Sequence, residues 1–161
     1  MRAETMNSMQ QTVPTAIVAK MGRLVAAVSV CLAFSMPAHA EVRILGSPGG
    51  TVGTFLDLYA QVRASGERVV IDGPCLSACT LILAYVGHDR ICVTGRAVLG
   101  FHGARSVDAG GRTHAEPEAS QRILSVYPQP VRAWIARHGG LSSRLLLLRG
   151  HELAAMYPRC R

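Results

Sequence analysis

From Val42 onward, short apolar runs alternate with glycine- and proline-rich breaks, and the hydrophobic period changes from run to run. Val42 to Leu45 predicts a short strand that stops at Gly46, and Ser47-Pro48-Gly49-Gly50 predicts a turn. From Thr51 the pattern turns helical. Val52, Phe55, Leu56, Leu58, Tyr59 and Val62 recur on one face until Ser65-Gly66 ends it. Arg68 to Ile71 is mostly apolar, as buried parallel strands are, and Asp72-Gly73-Pro74 breaks it. A second helix opens at Ser77, runs from Ala78 to about Val86 and closes at Gly87. Arg90 to Thr94 and Ala97 to Phe101 predict two more strands around Gly95, with His102 following at once.

Gly103 to Pro117 holds Gly110-Gly111 and little apolar content, so a mobile loop gating any site beside His102 is expected. Glu118 to about His138 reads as helical, interrupted near Pro128 and Pro130 and stopped by Gly139-Gly140. Leu145 to Leu148 is a short strand or buried turn. Glu152 to Tyr157 is a last helical turn or two before Pro158. The β-α-β-α-β order implies an α/β fold with a parallel sheet and right-handed crossovers.

The first forty residues change the picture of where this domain works. Lys20 and Arg23 precede an apolar run from Leu24 to Phe34, which is shorter than the roughly 20 residues a spanning helix needs. Ala38-His39-Ala40 fits a small-x-small cleavage pattern, so residues 1–40 read as a signal peptide removed before Glu41. An uncleaved anchor is the alternative, and the long stretch before Lys20 suggests a start at Met21. The expected product is a single domain, 41–161, in the periplasm or secreted, touching a membrane only through its leader.

Composition then removes several classes. Lys20 is the only lysine of the chain, so the domain from Glu41 onward has none. A Ser-Lys dyad, a Schiff base and a phosphate-loop lysine are excluded there. The same stretch holds 14 arginines against nine acidic residues, scattered and with few aromatics. A nucleic-acid groove needs a basic stripe with stacking side chains, so no nucleic-acid partner is expected.

Cys75, Cys79, Cys92 and Cys160 lie beyond the leader, an even number in an exported chain, which favours two disulfides. Their spacing does not look like a zinc site, and neither metal nor cofactor is expected. Three pairings are open. Cys75–Cys79 with Cys92–Cys160 is favoured, the first bracing the turn at Ser77 and the second tying the tail to a central strand. Free thiols are the alternative.

Gly49-Gly50 and Ser77 fall at successive strand-to-helix junctions, and ligands in such folds sit at strand carboxyl ends near helix N-termini. His102 ends a later strand. Taken singly, Ser77 reads as a helix N-cap, His102 as an ordinary histidine and the glycines as a turn. Taken in order, they make a nucleophile, a base and backbone donors. A serine hydroxyl needs a neutral imidazole to take its proton, and the N–H groups of Gly50 and Ala78 suit the developing oxyanion.

The arrangement resembles the Clp protease/crotonase superfamily, nearest to the Clp protease proteolytic subunit and its small exported relatives. Ser47-Pro48-Gly49-Gly50-Thr51-Val52 resembles that family's oxyanion segment. Gly73-Pro74-Cys75-Leu76-Ser77-Ala78 resembles its nucleophile turn. Arg90 to Thr94 and then Ala97 to His102 resemble its strand pair ending in the catalytic histidine. The step from Ser77 to His102 matches the family's spacing, and Glu152 to Tyr157 resembles its late helix. The resemblance spans Val42 to Tyr157 and implies a ClpP/crotonase-like β-α-β spiral, shortened at the N-terminus. Its edge would be exposed or completed by another subunit.

It also implies an exported, peptidase-like serine hydrolase acting on a peptide or protein, with self-association into a homo-oligomer. One departure concerns the triad acid: the matching stretch, Arg144 to Arg149, has no carboxylate. Asp108 and Glu152 are the candidate third members by sequence proximity. The alternative is a non-catalytic binding or assembly module of the periplasm. A crotonase-type acyl-CoA enzyme is a third reading, disfavoured because export removes the chain from cytoplasmic CoA.

Overall fold

Val69, Val70 and Ile71 are almost fully buried, as a central apolar strand should be. They belong to β2 (Arg68–Ile71) in a computed structural model that describes residues 40–161. The expected leader and its start at Met21 lie outside the described residues, apart from Ala40. Strand β2 runs parallel to β1 (Glu41–Ile44) on one side and to β4 (Ile91–Val93) on the other. Helix α1 (Val52–Ser65) joins β1 to β2, burying Tyr59 and Val62 and ending at Gly66 in the left-handed conformation.

The architecture is mixed α/β, but the expectation of one parallel sheet needs correcting. Among the described residues there are two three-stranded sheets. The second contains β3 (Pro74–Leu76), β5 (Val98–Phe101) and β8 (Leu146–Arg149); β3 is parallel to β5, and β8 antiparallel to it. The break read at Asp72-Gly73-Pro74 is where the chain passes from one sheet into the other. A side chain at Gly73 would collide with the Leu45 carbonyl, so glycine lets this crossing hug the end of β1. The bridge from Ser47 to Cys75 carries the line of β1 onto β3. In β8, Leu146 and Leu148 are buried while Leu147 and Arg149 are exposed, the period of an edge strand with one wet face.

After β3 comes a 3-10 helix (Ser77–Leu81) that continues into α2 (Ile82–Tyr85). Helices α3 (Pro117–Val126) and α4 (Gln129–Arg137) each carry a proline at the start, where its fixed φ and missing N–H are harmless. A short helix α5 (Gly150–Ala154) follows β8. The segment from Gly103 to Pro117, expected as a loop, contains a hairpin of β6 (Arg105–Val107) and β7 (Thr113–Ala115). Asp108 organises its turn: its carboxylate accepts the Gly110 and Arg112 N–H groups, the Arg112 guanidinium and the His114 ring.

Among the described residues two disulfides are present, Cys75–Cys79 and Cys92–Cys160, so the free-thiol alternative for these four cysteines does not hold. The second closes a long loop and brings the tail alongside β4. There Val93 N–H donates to Pro158 O (2.9 Å) and Cys160 N–H to Val93 O (3.1 Å). No described helix is long and apolar enough to cross a membrane.

One buried carboxylate ties the strand ends together. Asp72, just past β2, accepts from Arg43 Nη1 on β1 (2.9 Å) and Thr94 Oγ1 beyond β4 (2.7 Å). It also accepts from Arg96 through Nε (3.1 Å) and Nη2 (2.6 Å). Arg96 first, then Thr94, hold its carboxyl well below the usual carboxylate range, against the opposing effect of burial. A depressed folded pKa gives stability that is present above the unfolded pKa of about 4 and lost as pH falls through the folded value. Asp72→Asn is therefore expected to lower the melting temperature clearly at pH 7. The gap between the two proteins should narrow steadily below about pH 4, which thermal melts across pH 7 to 2 would check.

Candidate active site

Ser77 is the one non-glycine residue among those described with a left-handed backbone, at φ 55°. It sits between the end of β3 and the first turn of the 3-10 helix, and strain of this kind typically costs about 1–3 kcal/mol. A serine on a strained strand-to-helix turn presents its hydroxyl outward and leaves the following N–H free to face an oxyanion. Ala78 supplies that N–H at the start of the helix, where the first donors lack intrahelical partners.

The surroundings hold this turn in place. Cys75 and Cys79 flank it and are joined to each other, both buried. Thr80 Oγ1 donates to the Ser77 carbonyl (2.7 Å) and lies 2.6 Å from the Tyr127 hydroxyl. Since the threonine proton is committed to a carbonyl, the tyrosine donates to the threonine. Burial pushes the Tyr127 phenol up to about 12, so this donor keeps its proton at neutral pH. From α1, the Tyr59 hydroxyl donates to the Cys79 carbonyl at 2.7 Å. Tyr127 in turn packs edge-on against Phe101, the residue before His102, with ring centroids 5.3 Å apart.

The Ser-Pro-Gly-Gly turn lies directly on Ser77. Ser47 N–H donates to Pro74 O (2.7 Å), and Leu76 N–H donates back to Ser47 O (2.9 Å). Gly49, at φ 86°, approaches so closely that a Cβ would stand 2.5 Å from Ser77 Cβ and 3.1 Å from Ala78 N. The Gly50 N–H donates to no acceptor among the described residues.

Pro48 to Gly50, Ser77, Ala78 and His102 line one cleft of about 940 Å³. The structure thus gathers the four residues that the sequence singles out. No hydrogen bond joins Ser77 to His102. The His102 Nδ1 instead lies 2.6 Å from the Gly103 carbonyl. A carbonyl has no proton to give, so Nδ1 donates, and the neutral ring then leaves Nε2 unprotonated, as a base requires.

The two candidate third members sit elsewhere. Asp108 is committed to the hairpin turn, where His114 and Arg112 hold its carboxyl below the usual range. Glu152 accepts from the Trp134 indole at 3.0 Å. Neither carboxylate contacts His102 in this structure. Among the described residues, no group of three or more His, Cys, Asp or Glu side chains gathers to hold a metal ion.

Sequence reasoning did not reach the close approach of Gly49, the left-handed Ser77 or the Gly103 carbonyl. Backbone features of this kind leave little trace in residue types. The hairpin did leave a signal, since Arg105-Ser106-Val107 and Thr113-His114-Ala115 flank a turn containing Asp and two glycines. No protein-family model matches the chain, and no curated protein matches it.

The geometry separates two glycines in the same turn region. Gly49→Ala combines a left-handed backbone with a collision against Ser77, and is expected to lower stability by about 1–3 kcal/mol. Gly46→Ala meets nothing within 4 Å and should change stability by less than about 0.5 kcal/mol. Urea denaturation of both variants beside the parent protein would check this.

Proposed function

We propose that this chain is an exported serine hydrolase, peptidase-like, with Ser77 as nucleophile and His102 as base. Gly50 and Ala78 N–H groups form its oxyanion hole. The observation that carries the reading is the left-handed Ser77 at a strand-to-helix turn, opening on the same cleft as His102. The likeness to the Clp protease/crotonase superfamily belongs to this proposal, as does the corresponding spiral fold. The reading is supported by the joint presence of the glycine turn, the serine turn and the strand-end histidine. Two disulfides suit an oxidising compartment, and the periplasm or the cell exterior is the proposed location.

In the proposed reaction, Ser77 Oγ attacks a carbonyl carbon while its proton passes to His102 Nε2. The carbonyl oxygen becomes an oxyanion between the Gly50 and Ala78 N–H groups, a contact typically worth about 2.7–4 kcal/mol of barrier per donor. Collapse breaks the bond to the leaving group, which takes the proton from His102. Water then repeats the sequence on the acyl-enzyme and frees Ser77. A peptide or protein substrate suits the cleft rim, where Val52, Val107 and Val126 from three different elements are exposed together.

A second reading is a non-catalytic binding module that keeps the same cleft. It is favoured by the absence of a Ser77–His102 hydrogen bond and of a carboxylate on His102. Catalytic hydrogen bonds are often loose before substrate arrives, which keeps the enzyme reading first.

Turnover separates the two. The oxidised protein from Glu41 onward is expected to hydrolyse members of a panel of short peptides and activated esters. Ser77→Ala and His102→Ala should each reduce the rate at least about 100-fold, as loss of a nucleophile or its base does. Turnover that is unchanged in Ser77→Ala would contradict the assignment.

A further inference from the structure

The Gly103 carbonyl that receives the His102 proton belongs to a peptide group with a second bonded end. The N–H of that same peptide is Ala104 N–H, and it donates to Ser120 Oγ at 2.8 Å. Ser120 Oγ donates onward to the Glu116 carbonyl, also at 2.8 Å. The chain therefore runs from His102 Nδ1–H to the Gly103–Ala104 peptide, then to the Ser120 hydroxyl, then to the Glu116 carbonyl. Every donor points the same way, so each bond polarises the next. Such alignment strengthens each bond by about 10–30%.

Each link is placed by the fold. Ser120 is buried on the first turn of α3, and its backbone N–H also donates to Glu116 O at 2.9 Å. The peptide on the other side of Gly103 is fixed as well, since Gly103 N–H donates to Ser142 O (2.6 Å) in the segment after α4. The fit around Gly103 is tight: a Cβ there would stand 3.3 Å from both Ser120 Oγ and Ser142 O. The carbonyl facing His102 is thus held from two sides and made more negative by the hydroxyl behind it. These are the two things an orienting carboxylate does for a catalytic histidine, fixing its tautomer and stabilising the charge it acquires.

We propose that Ser120 is a positioning residue for His102, acting through the Gly103–Ala104 peptide in place of a triad acid. The inference rests on the reading of His102 as the base, but its primary test does not depend on turnover. Long-range proton–nitrogen correlation spectra of the histidine rings, on the full domain from Glu41 at pH 8, report which ring nitrogen carries the proton. His102→Gln identifies the His102 signals.

The parent protein is expected to show His102 protonated at Nδ1. Ser120→Ala should shift the population toward the Nε2-protonated form, and Ser120→Thr, which keeps the hydroxyl, should restore the parent pattern. Labelling of Ser77 by a fluorophosphonate should slow at least about tenfold in Ser120→Ala, within the roughly 10⁴ that a mis-set tautomer costs, and recover in Ser120→Thr. An Nε2-protonated His102 in the parent protein would overturn the proposal without any variant. A folded Ser120→Ala with the parent tautomer and labelling rate would overturn it too. An Nδ1-protonated, Ser120-dependent His102 in a protein that never labels would support this inference and count against the hydrolase reading.

Discussion

The left-handed turn at Ser77 is the constraint around which the site is built. A serine resists this conformation, so the turn persists only because its neighbours leave no other arrangement. The Cys75–Cys79 disulfide spans it, and Tyr127 and Thr80 fix its carbonyl. Tyr59 fixes the carbonyl at its far end, and Gly49 presses on it from the side. These contacts come from α1, α3's trailing residue Tyr127 and the Ser-Pro-Gly-Gly turn. The conformation of one residue thus depends on most of the fold, and the disulfide helps by limiting the alternatives open to five residues of chain.

Around that turn the two sheets have separate tasks. The sheet of β1, β2 and β4 is a scaffold: its central strand is apolar and buried, and Asp72 locks its strand ends. The sheet of β3, β5 and β8 carries the candidate site, because β3 leads into Ser77 and the parallel β5 leads into His102 at the same end. The bridge between Ser47 and Cys75 couples them, so the glycine turn leaving the first sheet meets the serine leaving the second. The Cys92–Cys160 disulfide adds the tail to the scaffold sheet, away from the cleft residues. A small domain with limited core gains more from such cross-links than a large one does.

Much of this was legible in residue patterns. The helix from Val52 to Ser65, the strand from Arg68 to Ile71 and the proline break between α3 and α4 follow from periodicity and turn chemistry. So does the meeting of Gly50, Ser77, Ala78 and His102 in one cleft, because strand carboxyl ends collect at one edge of a parallel pair. The division into two sheets was not legible, since β3 is only three residues long and begins at a proline that reads as a breaker. The hairpin at Arg105–Ala115 left a signal only in its turn residues, because both strands are exposed and carry no apolar alternation. The partner of His102 was beyond reach for another reason. It is a main-chain carbonyl, and any residue at position 103 would have supplied one. Asp108 and Glu152 are held by His114 and Trp134, and the group that touches the His102 ring is the Gly103 carbonyl.

The central claim is that this strained, braced serine is an activated nucleophile. The direct measurement is exposure of the oxidised domain to a fluorophosphonate probe, followed by peptide mass spectrometry to locate the adduct, beside His102→Ala. The account predicts a single adduct on Ser77 that fails to form without His102. A folded protein that takes no label, or takes it on another residue, would contradict it.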